Sequence, residues 1–196
     1  DQGWKYHSVD GQRYTVTPSD AVAPGTQVIL TLKEEYSHLA SNNLLNRVLS
    51  RYCILLHEPV FVGDATEPVN KLQPPWREST PEGVTMHRAL VQRKNLAFAA
   101  QFESSFEPIC TLPVVPQGGS DAVGILWIQD GATYGTSDNR NLSLFLRGML
   151  LDDEARELLQ PWAGFIGGVI ESSKLTPTAS REDLQRDETW VAVQEA

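Results

Sequence analysis

Residues 122–151 read AVGILWIQDGATYGTSDNRNLSLFLRGMLL. Ala122–Ile128 is an unbroken apolar run of strand length and predicts a buried strand. Asp130–Asn141 is polar, holds Tyr134 and predicts a loop. Leu142–Leu146 alternates, and the pattern runs on into Met149–Leu151. Just beyond, Asp152 and Asp153 look like a helix start. Glu154 and Glu157 fall in its first turn, where carboxylates suit the helix dipole. Pro161 predicts the first residue of another helix. Val169-Ile170 is a short apolar segment, and Ser172–Ala179 with Pro177 is a loop. Ser180-Arg181-Glu182-Asp183 has the form of a capping box, so a helix is expected from there.

Working upstream, Pro108, Pro113 and Pro116 break the chain, and Gln117-Gly118-Gly119 reads as a turn. A helix is predicted over His87–Ser104, with Leu90, Val91, Leu96, Phe98 and Phe102 as core candidates. Gly63–Pro81 reads as a connector carrying one exposed-looking aromatic, Trp76, after Pro74 and Pro75. Pro59–Val62 is a short apolar strand. Leu44, Leu45, Val48, Leu49 and Tyr52 repeat at helical spacing behind Ser41 or Asn42 as the cap. Gln12–Thr17 and Gln27–Lys33 alternate like strands, joined by a loop over Pro18–Gly25. They look like the last antiparallel strands of a sheet whose other members lie elsewhere. Strands mixed with helices indicate an α/β (α+β) layered fold, a mixed sheet packed by helices.

The chain has 196 residues, 41% hydrophobic and 21% charged, which suits one ordinary domain or one with part of a neighbour. Its formal net charge of −9 argues against a nucleic-acid partner, whose phosphates need the opposite sign. No apolar run is long enough to cross a bilayer as a helix. The two cysteines, Cys53 and Cys110, form no CxxC pair and suit a reducing, cytoplasmic setting, with a single disulfide as the alternative. Cys53, beside Tyr52, is expected in the core. His7, His38, His57 and His87 are scattered, with no metal-binding spacing, and no metal site is expected.

The residues with chemistry to offer are Ser180, Arg181 and Gln185. With Ser180 as N-cap, Arg181 is the first helical residue and Gln185 shares its face four positions on. A helix start offers free N–H groups and positive potential, and a guanidinium there welcomes phosphate oxygens. The plainer reading makes Arg181 a surface residue paired with Asp183 or Asp187.

Leu142–Gln185, and above all its end GGVIESSKLTPTASREDLQ, resembles the middle domain of the heat-shock-protein-90 chaperones. SRYCILLHEPVFV resembles that family's junction helix and the strand after it. WKYHSVDGQRYTV with GTQVILTLKE resembles the end of its nucleotide-binding domain. VNKLQPPW resembles the segment leading to its middle-domain tryptophan, and QGGSDAVGILWIQDGA is a looser match. Residues 77–116 match weakly. The short connector, without a long acidic run, points to the bacterial HtpG branch, with an organellar form as the alternative.

The resemblance implies a division into residues 1–35, the final strands of a nucleotide-binding domain; 36–82, a junction helix, strand and connector; and 83–196, a middle domain. It implies an ATP-dependent chaperone in which Arg181 reaches the ATP γ-phosphate, supported by Gln185, in the manner of an arginine finger. Trp76 matches a tryptophan associated with client contact, against the alternative of one packed on its own domain. Tyr134 falls where the family has an aromatic on an interdomain loop. ATP and Mg2+ are implied for the full-length protein and neither for this stretch, which by itself should be inactive. Implied partners are unfolded or partly folded clients, the protein's own N-terminal ATPase domain, and a second copy joined through a C-terminal domain; neither nucleic acid nor membrane is implied. The departures are Thr178 where the family carries asparagine, Leu175-Thr176-Pro177 for Leu-Pro-Leu, Arg147-Gly148 for paired basic residues, and glycine at 164 and 167. They mark a divergent member and leave open the alternative of a non-catalytic client- or partner-binding module.

Overall fold

Strands β1 (Gly3–Ser8) and β2 (Tyr14–Ser19) pair antiparallel, from Gly3 opposite Ser19 to Ser8 opposite Tyr14. The turn between them is held by Asp10, whose Oδ1 accepts from the backbone N–H groups of Gln12 and Arg13 at 2.9 and 3.0 Å. Tyr6 and Tyr14 stack across the hairpin at 5.1 Å. This computed structural model describes residues 2–20, 23–78, 87–131, 138–179 and 183–196. It divides into two units, Asp1–His38 and Leu39–Ala196. The partner of β2 is therefore the preceding strand, not the expected strand at Gln27–Lys33, which forms no ladder. That segment leaves Val28, Ile29 and Leu30 more than three-quarters exposed. Alternation makes a strand only where another backbone offers hydrogen bonds.

The larger unit is built on a five-stranded mixed sheet in the order β3-β4-β7-β5-β6. Its strands are β3 (Pro108–Val114), β4 (Val123–Gln129), β5 (Asn141–Leu146), β6 (Met149–Asp152) and β7 (Ile166–Ser172). Only β5 and β7 run parallel; the other neighbours are antiparallel. The expected mixed sheet packed by helices is borne out. Buried side chains line both faces. Leu142, Leu144 and Ile170 face Trp190 and Val193 of helix α3 (Glu188–Glu195). Ile125, Trp127, Phe145 and Val169 face Phe98 and Ala99 of helix α2 (Arg88–Ala99), together with Leu55.

Several local expectations change in this setting. Helix α1 (Asn42–Tyr52) is capped by Ser41, whose hydroxyl accepts from Leu44 N–H at 3.3 Å. None of its residues is fully buried, and Leu45, Val48 and Tyr52 stay exposed, so the cap matters more than packing for its first turn. Ser41→Ala is expected to cost about 1 kcal/mol and to speed hydrogen exchange at the Leu44 amide. Unchanged exchange would show that the hydroxyl does not hold the turn. Cys53, just past this helix, is buried as expected, and both cysteines are free. Pro59–Val62 is irregular, not a strand. Its backbone is gripped by Asn70, which accepts from Val60 N–H at 2.8 Å and donates to the carbonyls of Leu56 and Glu58.

The prolines read as breakers lie within β3 at Pro108 and Pro113. The sheet admits them because β3 is an edge strand, where a missing N–H costs little. Leu142–Leu151 is not one continuous run. Arg147 and Gly148, both at positive φ (53° and 83°), form a two-residue turn that folds β6 back on β5. The helices expected at Asp152 and Pro161 do not form. Asp152 Oδ1 accepts from Glu154 N–H at 2.8 Å, closing a local turn that competes with a helix, and only a short 3-10 turn follows at Arg156–Leu158. Val169-Ile170 is the middle of β7, with β4 on one side and β5 on the other. Its glycines admit close neighbours: a Cβ on Gly167 would strike the indole of Trp127, and one on Gly168 would strike Leu126 and Leu142.

Candidate functional site

The stretch GGVIESSKLTPTASREDLQ begins inside β7 and leaves it at Ser172. Its acidic residue, Glu171, is buried and paired. One oxygen accepts from Trp76 Nε1 at 3.1 Å and from Arg77 Nε at 3.2 Å; the other takes a short bond from Arg77 Nη2. A carboxylate at the end of an apolar strand therefore ties the connector onto the sheet. The next residue pins the exit of the strand. Ser172 Oγ donates to Asp121 Oδ1 at 2.6 Å, and Asp121 Oδ2 accepts from Ser173 N–H at 2.8 Å. From the other side Arg147 N–H donates to the Ser172 carbonyl at 3.0 Å, and Arg147 Nε to the Ser173 carbonyl at 3.2 Å.

Beyond this root the chain turns back on itself. Gln185 N–H donates to the Thr176 carbonyl at 2.8 Å, and Thr178 N–H to the Asp183 carbonyl at 2.8 Å. Thr178 Oγ1 adds a bond to the same Asp183 carbonyl at 3.1 Å. The threonine that stands in place of asparagine thus closes the neck of the loop. Leu175 and Leu184 anchor the two legs in the core. Residues 178 and 183 are brought face to face, and the legs 176–178 and 183–185 brace each other twice.

Arg181, with Ser180 and Glu182, lies outside the described residues, as does Tyr134. Gln185 is described and is not on a helix. It is exposed, and its Nε2 donates to the Pro177 carbonyl at 3.3 Å. The expected helix from Ser180 is corrected over 183–187. Helix α3 starts only at Glu188, capped by Asp187, whose Oδ1 accepts from Trp190 N–H at 3.0 Å. Those bonds to backbone N–H groups hold the Asp187 carboxyl below its ordinary range. Over 183–185 no helix forms, because pairing with 176–178 claims that backbone first.

For Trp76 the sequence leaves open an exposed ring or one packed on its own domain. It is half-buried, packs edge-on against Phe98 at 5.2 Å and spends its N–H on Glu171. The residues that sequence reasoning passed over are Glu171, Arg77 and Asp121. The one available signal was an acidic residue closing an apolar run before two serines. Among the described residues, no three His, Cys, Asp or Glu side chains gather as they would to hold a metal ion, and no helix is long and apolar enough to cross a membrane.

No protein-family model matches the chain. It is similar to proteins described as Chaperone protein HtpG. It is 25% identical to that of Chlorobaculum tepidum over 94% of its own length and 27% identical to that of Paramagnetospirillum magneticum over 95%. Against that of Methylorubrum extorquens it is 26% identical over its whole length. The chain spans about 30% of the length of these relatives. The resemblance to HtpG-type chaperones, as a portion of such a protein, is borne out.

Proposed function

We propose that this chain is the middle region of a cytoplasmic, ATP-dependent chaperone and that its braced loop assists ATP hydrolysis. The observation that carries the reading is the similarity, from end to end of this chain, to proteins described as HtpG chaperones. The doubly anchored stem at Thr176–Thr178 and Asp183–Gln185 supports it, because a cation that acts on another domain must be held without help from that domain. In this reading Arg181 meets the negative charge on the transferring phosphoryl group, and Gln185, tied to the Pro177 carbonyl, steadies the loop beside it. ATP and Mg2+ would be held by the nucleotide domain of the full-length protein. This stretch alone would neither bind ATP tightly nor turn it over. Clients would be unfolded or partly folded polypeptides, and a second copy would join through a further domain. Client contact at Trp76 is the part that the packing supports least, since the ring and its N–H both serve the unit's own core.

The test is ATP turnover of the full-length protein, native beside Arg181→Ala, with nucleotide affinity measured separately. Turnover is expected to fall at least about tenfold while ATP still binds. Unchanged turnover would make the loop structural and leave the chain a binding module.

A further inference from the structure

A cleft of about 500 Å3 opens between α1, the turn that follows α2, and the β5–β6 hairpin. Its base is apolar. Ile54, Phe102 and Leu150 line it, each half-buried and packed against the core that holds Phe145. Phe102 meets Phe145 edge-on at 6.2 Å and Phe98 at 5.0 Å, which fixes its ring. A concave apolar base of this size suits a small ligand, given a few polar groups at the rim to orient it.

Those groups are present, and they are cationic. Arg47 and Arg51 stand one turn apart on the same face of α1, where like charges repel. Asp153 pairs with Arg51. Arg47 is exposed and, among the described residues, has neither an ion pair nor a hydrogen bond. Two guanidinium groups against one carboxylate leave the lining net positive, in a chain whose formal net charge is −9. The hydroxyls of Ser50, on α1, and Ser143, on β5, also line the cleft. Neither has a hydrogen-bond partner among the described residues, and neither is sealed from solvent. Arg47, Ser50 and Ser143 are therefore all within reach of a molecule lying in the cleft.

We propose that this cleft binds a small organic anion, a carboxylate or phosphate monoester carried on an apolar body. Arg47 would take the anionic head in the bidentate way open to a guanidinium, and the Ser50 and Ser143 hydroxyls would donate to its oxygens. The body would cover Ile54, Phe102 and Leu150 and remove their apolar surface from water. The head supplies for Arg47 the counter-charge that Asp153 supplies for Arg51. A bare inorganic anion would leave the base wet, and a neutral body would leave Arg47 without its counter-charge, so both parts are required. The proposal does not rest on the chaperone reading, since every group in it belongs to the cleft.

The test uses this chain labelled with 15N and four probes: 2-naphthoate, 2-naphthyl phosphate, 2-naphthol and inorganic phosphate. At least one of the two aryl anions is expected to move the Ser143 and Leu150 amide resonances saturably, with a dissociation constant of about 0.1–1 mM. The tighter of the two tells whether the head is a carboxylate or a phosphate. 2-Naphthol and inorganic phosphate should each bind at least about tenfold more weakly. Arg47→Gln should weaken the aryl anion about tenfold, and Ser143→Ala several-fold. Arg47 is exposed and unpaired, so its loss leaves the fold intact. Arg88→Gln removes an exposed guanidinium of α2 outside the cleft and should leave binding unchanged. Aryl anions that move neither resonance would overturn the proposal. So would 2-naphthol binding as tightly as they do, which would make the cleft an apolar patch only, or inorganic phosphate doing so. Native affinity in Arg47→Gln, or an equal loss in Arg88→Gln, would overturn it too. None of these readouts involves ATP turnover, so the loop's role stands or falls separately.

Discussion

Replacing Glu171 by alanine is expected to destabilise the larger unit by about 3–5 kcal/mol, the cost typical of removing one partner from a buried ion pair. Both side chains are largely shielded, 18% exposed for Arg77 and 10% for Glu171. The variant strands the Arg77 guanidinium and the Trp76 N–H together, away from water, with no acceptor between them. Equilibrium unfolding in urea measures the loss. Glu171→Gln should cost less, because an amide oxygen still accepts from Trp76. Adding Arg77→Met to Glu171→Leu should recover much of the stability, since two apolar side chains of similar volume need no partners. A loss below about 1 kcal/mol in Glu171→Ala would show that water reaches the pair and that the connector is not tied down there.

Gly167→Val is expected to be comparably damaging, at about 3 kcal/mol or more, from overpacking of a filled core. Gly167 sits in the central strand opposite Trp127, and a side chain there has nowhere to go but into the indole. Trp127 is 1% exposed and cannot swing outward. Moving it would also break its bond to Glu103. Near-ultraviolet circular dichroism and tryptophan fluorescence follow the indole directly, and urea unfolding gives the energy. Pairing Gly167→Val with Trp127→Leu should return part of the stability by restoring room. If the single variant keeps native stability and an unchanged Trp127 signal, the packing of β7 against β4 is looser than described.

The large core strands were legible because their signals are local. Ala122–Ile128 and Leu142–Leu146 hold nearly enough apolar surface to declare burial without reference to the rest of the chain, and both are strands. The Ser41 cap was legible for the same reason, being a bond between neighbours. The β3 strand was hidden by Pro108 and Pro113, which forbid a central strand but not an edge one, and edge position is a property of the whole sheet. The β7 strand was under-read because Gly167 and Gly168 look like strand breakers until Trp127 and Leu142 are seen to occupy their space.

The sequence by itself determined the α/β class and the likeness to HtpG chaperones. Each rests on residue order: apolar runs, cap residues and motifs that can be read along the chain. Only the tertiary structure decided that Gln185 lies in a returning strand-like leg and not on a helix, and that Trp76 is claimed by Glu171. Those facts depend on which distant groups arrive first at a given backbone or side chain. Trp76 and Glu171 stand 95 positions apart in sequence, and no local propensity encodes their meeting.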